Sequence, residues 1–279
     1  NIITGYADTC SKILTSHPKI NKIAFTGGVD TAKHIVKNSA ENLSQLSLEL
    51  GGKSPVVVFK DARKDNAING IMASIFGATG QSCIAGSRLY LQEEIYQDYL
   101  DELKKRTEKI KIGDPLSTTT QLGPLATLKQ LKNIQEKIQQ TIKQGGKLIS
   151  GGKKVSSFKN GYYFEPTIVV DVPSDCKLVT EEVFGPVLPV FKVSSLDEAI
   201  NMANDTEWGL GSSIWTASLA DSHKAIREIE AGVTWVNMLH YGFDELPFGG
   251  VKASGIGHEH GPEAVDYYLE NKGAVIGGI

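Results

Sequence analysis

A cysteine surrounded by small residues is the first side chain in this sequence that could do covalent chemistry. Cys83 lies in GQSCIAGSR, residues 80–88, directly after an apolar helical pattern. Its small neighbours leave room for a substrate to reach the sulfur, and a thiolate in such a place is a nucleophile for a carbonyl carbon. Backbone N–H groups beyond the helix could stabilise the developing oxyanion. The same residues also suit a tight turn, so this pattern alone leaves a structural role open.

A carboxylate at the end of an apolar strand is the second unusual feature. Glu49 lies in LSLEL, residues 46–50, immediately before two glycines. Burying a carboxylate without a partner costs several kcal/mol, so the group should be paired, solvated or functional. Functional groups of parallel α/β proteins collect at the carboxyl ends of strands. Glu49 there could act as a general base with its pKa raised to about 6–7. A solvent-facing sheet edge is the structural alternative.

The elements that must position these two side chains alternate in type. KIAFT (22–26) is typical of a strand, residues 29–40 have apolar side chains at helical spacing, and LSLEL is a second strand. This order predicts a βαβ unit and a parallel sheet, hence an α/β fold class. Further strands are predicted at 54–59, 88–92, 147–150, 166–170, 187–193, 211–215 and 233–236, and further helices at 65–79, 95–103, 125–142, 196–204 and 218–230.

The composition excludes several classes of function. The chain of 279 residues has 41% hydrophobic and 22% charged residues and a net charge of −3, which gives no electrostatic case for nucleic acid or an anionic membrane. Three widely spaced cysteines predict neither a disulfide framework nor a metal site, so we expect a reducing, cytoplasmic location. His258 and His260 flank Glu259 but lack a third ligand at suitable spacing, and no metal site is predicted there.

Five motifs in the same order resemble those of the aldehyde dehydrogenase superfamily. They are FTGG (25–28), LELGGKSP (48–55), GQSCIAGSR (80–88), EEVFGPV (181–187) and PFGGVKASGIGHEHG (247–261). The separation of 34 residues between Glu49 and Cys83 is also similar to that of the family. The resemblance implies a Rossmann-like parallel sheet portion and an α/β catalytic domain. It divides the chain into part of the dinucleotide-binding domain (1–51), a catalytic domain (52–248) and a return to the cofactor domain with an oligomerisation strand (249–279).

The resemblance also implies a reaction, the oxidation of an aldehyde to a carboxylic acid with NAD or NADP, of which NAD is favoured. Cys83 would attack the aldehyde and carry a thioester, and Glu49 would activate the water that hydrolyses it. Glu259 is similar to a second glutamate sometimes assigned to proton relay, although a structural role is the stronger expectation. The implied cofactor-binding residues are Thr26, Gly27, Gly28, Leu50, Glu182 and Phe184. The implied substrate-lining residues are Ser82, Ile84 and Phe248, with Trp235, His240 and Tyr241 as an aromatic-rich wall that suggests aromatic or medium-chain aldehydes.

Other expectations follow from how the chain compares with a full-length family member. The resemblance implies the C-terminal part of such a protein, without the upstream residues that complete the oxyanion hole and grip the adenosine ribose. The tail YYLENKGAVIGGI resembles a strand that pairs with a neighbouring subunit, so a homo-oligomer, dimer or tetramer, is expected. Three alternatives stay open: a truncated non-catalytic subunit or remnant, a relative that transfers the acyl group to coenzyme A, and a cofactor-free cysteine hydrolase. Retention of Glu49 argues against the second, and the third lacks a histidine convincingly placed for Cys83.

Overall fold

Two main β-sheets and one two-stranded ribbon organise the chain in the computed structural model, which describes residues 1–238 and 242–278. The helices are α1 Lys12–Ser16, α2 Val29–Ser39, α3 Lys64–Phe76, α4 Tyr96–Thr107, α5 Leu128–Lys143, α6 Lys177–Thr180, α7 Leu196–Asn204 and α8 Leu219–Glu228. The strands are β1 Lys22–Thr26, β2 Gln45–Glu49, β3 Pro55–Val58, β4 Arg88–Gln92, β5 Lys147–Ser150, β6 Thr167–Val170, β7 Val187–Val193, β8 Trp208–Gly209, β9 Gly211–Trp215, β10 Val233–Val236, β11 Val251–Lys252 and β12 Gly255–Ile256. The predicted α/β class is confirmed.

The smaller sheet has the order β1-β2-β12. Strands β1 and β2 are parallel and joined by α2, which is the predicted βαβ unit. Strand β12 comes from the far end of the chain and pairs antiparallel with β2, so that Gly255 lies opposite Glu49. Residues near both ends of the chain therefore meet at the carboxyl end of β2.

The larger sheet has the order β10-β9-β3-β4-β7-β6-β5 and is parallel except at the β5 edge. Strands β3 and β4 are buried along their whole length because helices cover both faces, which explains their almost continuous apolar sequences. One face packs against α5 and α7, with Ile134 and Ala199 in its core. The other face packs against α3 and α4 through residues such as Ile71 and Leu103.

The two ends of helix α5 show how local chemistry sets its bounds. Apolar spacing predicts a helix from Leu125, but α5 begins at Leu128 because the Thr127 side chain accepts a hydrogen bond from the Gln130 N–H at 3.1 Å. The helix ends at Lys143, just before Gly145, whose φ of 113° suits glycine.

The C-terminal tail, described to residue 278, forms no regular secondary structure beyond a short 3₁₀ segment at Pro262–Tyr268. The proposed pairing of this tail with a neighbouring subunit therefore stays a prediction. Within the described residues, no helix is both long and apolar enough to span a bilayer.

Candidate active site

The segment that leads to Cys83 has an unusual backbone. Helix α3 stops at Phe76, and Ala78, Thr79 and Gly80 then follow with φ values of 49°, 59° and 67°. Non-glycine residues rarely adopt this left-handed conformation, which costs of order 1–3 kcal/mol each and is common at functional sites. A Cβ at Gly80 would lie 2.3 Å from the Gly185 carbonyl oxygen, so this position also requires glycine for close packing. The segment turns the chain sharply toward the EEVFGPV loop.

Cys83 is half-buried, and the groups around its sulfur shift the pKa of the thiol in opposite directions. Burial raises the pKa of the thiol most, the charge of Glu182 raises it further, and the charge of Glu49 adds a smaller effect. The backbone N–H groups of Cys83 and Ile84 oppose this shift by interacting with the sulfur. The resting group near neutral pH is therefore a thiol rather than a thiolate, with two backbone donors beside it.

Glu49 is the last residue of β2 and is only 4% exposed. Neither carboxylate oxygen has a hydrogen-bond partner among the described residues. Burial raises the pKa of this carboxyl to about 8, and the charge of Glu259 contributes to the rise. Glu259 is held by reciprocal backbone hydrogen bonds with Phe248, of 2.6 and 2.7 Å. A buried carboxyl with free lone pairs and a raised pKa has the properties of a general base.

One cleft of about 620 Å³ brings the two candidate catalytic residues together with all six candidate cofactor residues. It lies where the carboxyl end of β2 in the smaller sheet meets the segment between β3 and β4 of the larger sheet. Its lining residues that sequence reasoning identified are Thr26, Gly27, Gly28, Glu49, Leu50, Ser82, Cys83, Glu182 and Phe184. Gly28 caps α2, so the N-terminus of that helix faces the cleft. The Gly27 N–H, however, donates to the Glu49 carbonyl oxygen at 3.0 Å and is not free for a phosphate.

Two glycines between β2 and β3 allow Glu182 to approach this cleft. A Cβ at Gly51 would lie 2.5 Å from a Glu182 carboxylate oxygen, and a Cβ at Gly52 would lie 2.5 Å from the Cys83 carbonyl oxygen. The Gly52 N–H donates to Glu182 Oε1 at 3.1 Å. Burial raises the pKa of Glu182, while the Gly52 hydrogen bond and the charges of Lys53 and Lys137 oppose the rise.

A second cavity, of about 540 Å³, is lined by Ile84, the residue that follows Cys83. Ile84 and Phe248 line this cavity and not the cleft, whereas Ser82 lines the cleft, so the three predicted substrate-lining residues divide between two spaces. The wall of the cavity is mainly apolar, and its lining residues are Ile84, Val233, Thr234, Trp235, Val236, Met238, Gly242, Phe243, Leu246, Pro247, Phe248 and His260. The predicted wall residues His240 and Tyr241 lie outside the described part of the chain.

Sequence reasoning missed several residues of the cleft. Gly51, Gln81 and Gln130 also line it. Gln81 is adjacent to the cysteine motif, and its side-chain oxygen accepts from the Ala126 N–H at 2.8 Å. Gln130 comes from α5, and no local pattern links that helix to the cysteine. The one sequence feature that could have indicated the contact with Glu182 is the glycine pair Gly51 and Gly52, because a side chain at Gly51 would leave no room for the Glu182 carboxylate. Among the described residues, no group of three or more His, Cys, Asp or Glu side chains could hold a metal ion.

Comparisons with known proteins place these observations in a family. The model of the aldehyde dehydrogenase family matches residues 1–274. A (Z)-2-((N-methylformamido)methylene)-5-hydroxybutyrolactone dehydrogenase of Acinetobacter baylyi is 46% identical over 273 residues, which cover 98% of this chain and 56% of that protein. The crystal structure of betaine aldehyde dehydrogenase from Staphylococcus aureus with NAD⁺ gives a TM-score of 0.93 at 33% identity, covering 96% of this chain and 54% of that one.

An NADP-dependent enzyme of E. coli gives the same TM-score of 0.93 at 36% identity, covering 97% of this chain and 56% of that one. The chain thus spans about half the length of these relatives. The predicted placement of the chain in the C-terminal part of a full-length member is not confirmed by these matches. The family itself is shown by the match over nearly the whole chain: the protein belongs to the aldehyde dehydrogenase family.

Proposed function

We propose that this protein oxidises an aldehyde to a carboxylic acid with a nicotinamide dinucleotide, through a covalent adduct on Cys83. One observation carries the proposal: a half-buried cysteine with two backbone donors and a buried, unpartnered glutamate line the same cleft. Nucleophilic catalysis needs the first group, and hydrolysis of the resulting thioester needs the second.

The residues of the chain would act in order. The Cys83 thiol gives its proton to water in the cleft, and Sγ bonds to the aldehyde carbon, while the carbonyl oxygen becomes an oxyanion stabilised by the Cys83 N–H. The residues that line the cleft, Glu182 and Phe184 among them, would hold a nicotinamide dinucleotide, and this group would supply the hydride acceptor needed to convert the Cys83 adduct to a thioester. Glu49 in its ionised form then takes a proton from water, the hydroxide adds to the thioester carbon, and the C–S bond breaks to release the carboxylic acid and the Cys83 thiolate.

The cleft has features that fit the cofactor. The N-terminus of α2 offers backbone N–H groups and a positive dipole end for a pyrophosphate, with Thr26 and Gly28 beside it. The Glu182 carboxylate could accept hydrogen bonds from ribose hydroxyls, and Phe184 and Leu50 offer apolar surface for a nicotinamide ring. We propose NAD as the favoured dinucleotide. The solved relatives include both an NAD⁺ complex and an NADP-dependent enzyme, so a direct comparison of the two dinucleotides is the appropriate test.

We propose that the aldehyde side chain enters the second cavity, because Ile84 follows the nucleophile in the chain and lines that space. Its described wall contains Trp235, Phe243 and Phe248 but no carboxylate that could pair with an ammonium group. An uncharged aromatic or medium-chain aldehyde would bury its apolar surface there without leaving a charge unpaired. Benzaldehyde and hexanal should therefore be better substrates than a primary aminoaldehyde of similar length.

The assembly and organisation of the protein are also proposals. We propose a homo-oligomer, a cytoplasmic location, and a division into dinucleotide-binding (1–51), catalytic (52–248) and returning (249–279) portions. The pairing of β12 with β2 supports the last boundary, since residues beyond 249 rejoin the smaller sheet.

The decisive test is aldehyde-dependent formation of NADH by the complete native polypeptide. The Cys83→Ala variant should lose both this activity and labelling by iodoacetamide at the active site, while Cys176→Ala serves as the matched control because Cys176 is buried away from the cleft. Activity retained in Cys83→Ala would refute the proposal. Faster thioester breakdown with coenzyme A than with water would favour the acylating alternative.

A further inference from the structure

A buried lysine on helix α5 contacts the loop that carries Glu182 without lining the cleft itself. Lys137 is 5% exposed, and its Nζ donates to the Glu182 carbonyl oxygen at 3.0 Å. The same Nζ lies 2.9 Å from Glu181 Oε2, so the ammonium group is bound to two successive residues of the loop. A buried lysine is costly unless it is paired and hydrogen-bonded, and Lys137 meets both conditions.

Gln130 holds the next two residues of the same loop. Its Nε2 donates to the Val183 carbonyl oxygen at 2.5 Å and to the Phe184 carbonyl oxygen at 2.9 Å. Gln130 and Lys137 are seven residues apart, which places them on one face of α5 about 10 Å apart along the axis. Two side chains of one helix thus bind three consecutive carbonyl groups, those of residues 182–184.

The conformation of the loop explains why it needs such support. Phe184 has a φ of 51°, a left-handed backbone that bulky residues rarely adopt and that persists only where neighbouring structure holds it. The contacts from α5 orient the backbone on both sides of this strained residue. Glu182 and Phe184 can then present their side chains to the cleft in a fixed arrangement.

We propose that Lys137, assisted by Gln130, is a positioning residue that holds Glu182 and Phe184 ready for the dinucleotide. This inference rests on the proposed function, because it assigns Glu182 and Phe184 to the cofactor. Lys137 acts through the loop and not on the reacting atoms, so its loss should weaken cofactor binding while leaving the nucleophile intact.

The test compares Lys137→Met with the wild type and with Lys132→Met, which removes an exposed lysine from the same helix. We expect Lys137→Met to raise the KM for the dinucleotide about tenfold, as loss of a charge-assisted hydrogen bond would. The rate of Cys83 alkylation and the KM for aldehyde should stay within twofold of wild type. Lys137→Arg should recover most of the cofactor affinity, and Lys132→Met should match wild type.

The outcomes separate this inference from the proposed function. A wild-type protein that forms no NADH with any aldehyde refutes the proposed function. If the wild type is active but Lys137→Met has an unchanged dinucleotide KM, the positioning role alone is refuted. It is also refuted if Lys137→Met slows Cys83 alkylation by the same factor as it raises the dinucleotide KM. If Lys137→Met fails to fold, Lys137→Gln takes its place, because it removes the ion pair with Glu181 that fixes the loop. An unchanged dinucleotide KM in that variant would equally overturn the inference.

Discussion

Cys83 and Glu49 line the same cleft, and the pKa of each is raised there. Burial raises the pKa of the thiol and of the carboxyl, and a charge on Glu49 raises the pKa of Cys83 a little further. Near neutral pH, both groups are mainly protonated in the resting protein. The resting cleft therefore holds a neutral thiol and a neutral carboxyl, and ionisation of Glu49 should limit the hydrolytic step.

This leads to a prediction about pH. With a Glu49 pKa of about 8, the ionised fraction and the rate of thioester hydrolysis should rise about tenfold per pH unit below pH 8 and level off above it. Glu259→Gln should move the midpoint to lower pH, because the charge of Glu259 helps to raise the pKa of Glu49. Single-turnover release of acid between pH 6 and 9 would measure the midpoint in wild type and in Glu259→Gln. A rate of acid release that does not change with pH would exclude Glu49 as the base.

At the scale of elements, sequence patterns predicted most helices and strands to within a few residues but not the turn before Cys83. Apolar spacing continued the helix to residue 79, whereas α3 ends at Phe76. The side chains of Ala78 and Thr79 have no property that predicts a left-handed backbone. The turn is set by tertiary contacts, such as the Thr79 hydroxyl donating to the Gly123 carbonyl oxygen at 3.3 Å, and these are invisible in a local pattern.

The same turn provides a pair of matched glycine variants. Gly80→Ala would place a Cβ 2.3 Å from the Gly185 carbonyl oxygen at a φ of 67°, so we expect it to lower the free energy of unfolding by about 2 kcal/mol or more. Gly77→Ala meets open space at an ordinary φ of −55° and should change the free energy of unfolding by less than about 0.5 kcal/mol.

The two variants would be compared by denaturant unfolding, which gives the free energy of unfolding, and by the rate of Cys83 alkylation. Gly80→Ala should also slow alkylation at least tenfold, because the turn that presents Cys83 is displaced. Equal stability and equal alkylation rates in the two variants would show that the left-handed turn does not position the cysteine.

At the scale of the whole molecule, the sequence patterns identified strands but not their assignment to sheets. Strands β2 and β3 are separated by only five residues, 50–54, yet β2 belongs to the three-stranded sheet and β3 to the seven-stranded one. Strand order depends on non-local packing that periodicity does not encode. The contact between α5 and the Glu182 loop is of the same kind. The motifs, by contrast, located Cys83, Glu49 and the cleft because they lie at strand ends and glycine turns, which have local signatures.

The buried carboxyl should also affect the stability of the whole fold. The pKa of Glu49 is about 8 in the folded protein against 4.5 ordinarily, so the folded state binds more protons between these values and stability falls as pH rises through that window. Glu49→Gln removes this ionisation. Its melting temperature should approach that of wild type near pH 5 and exceed it above pH 8, which thermal unfolding at both pH values would show. A pH-independent difference would contradict the burial of an ionisable group.

The proposed reaction depends on a covalent adduct on Cys83 that Glu49 helps to hydrolyse. The most direct measurement is the intact mass of the Glu49→Gln variant after mixing with aldehyde and NAD. We predict one equivalent of NADH per active site, followed by arrest, and a mass increase equal to the acyl group that peptide mapping places on Cys83. Steady turnover with no adduct, or an acyl group on another residue, would contradict the proposed roles of Cys83 and Glu49.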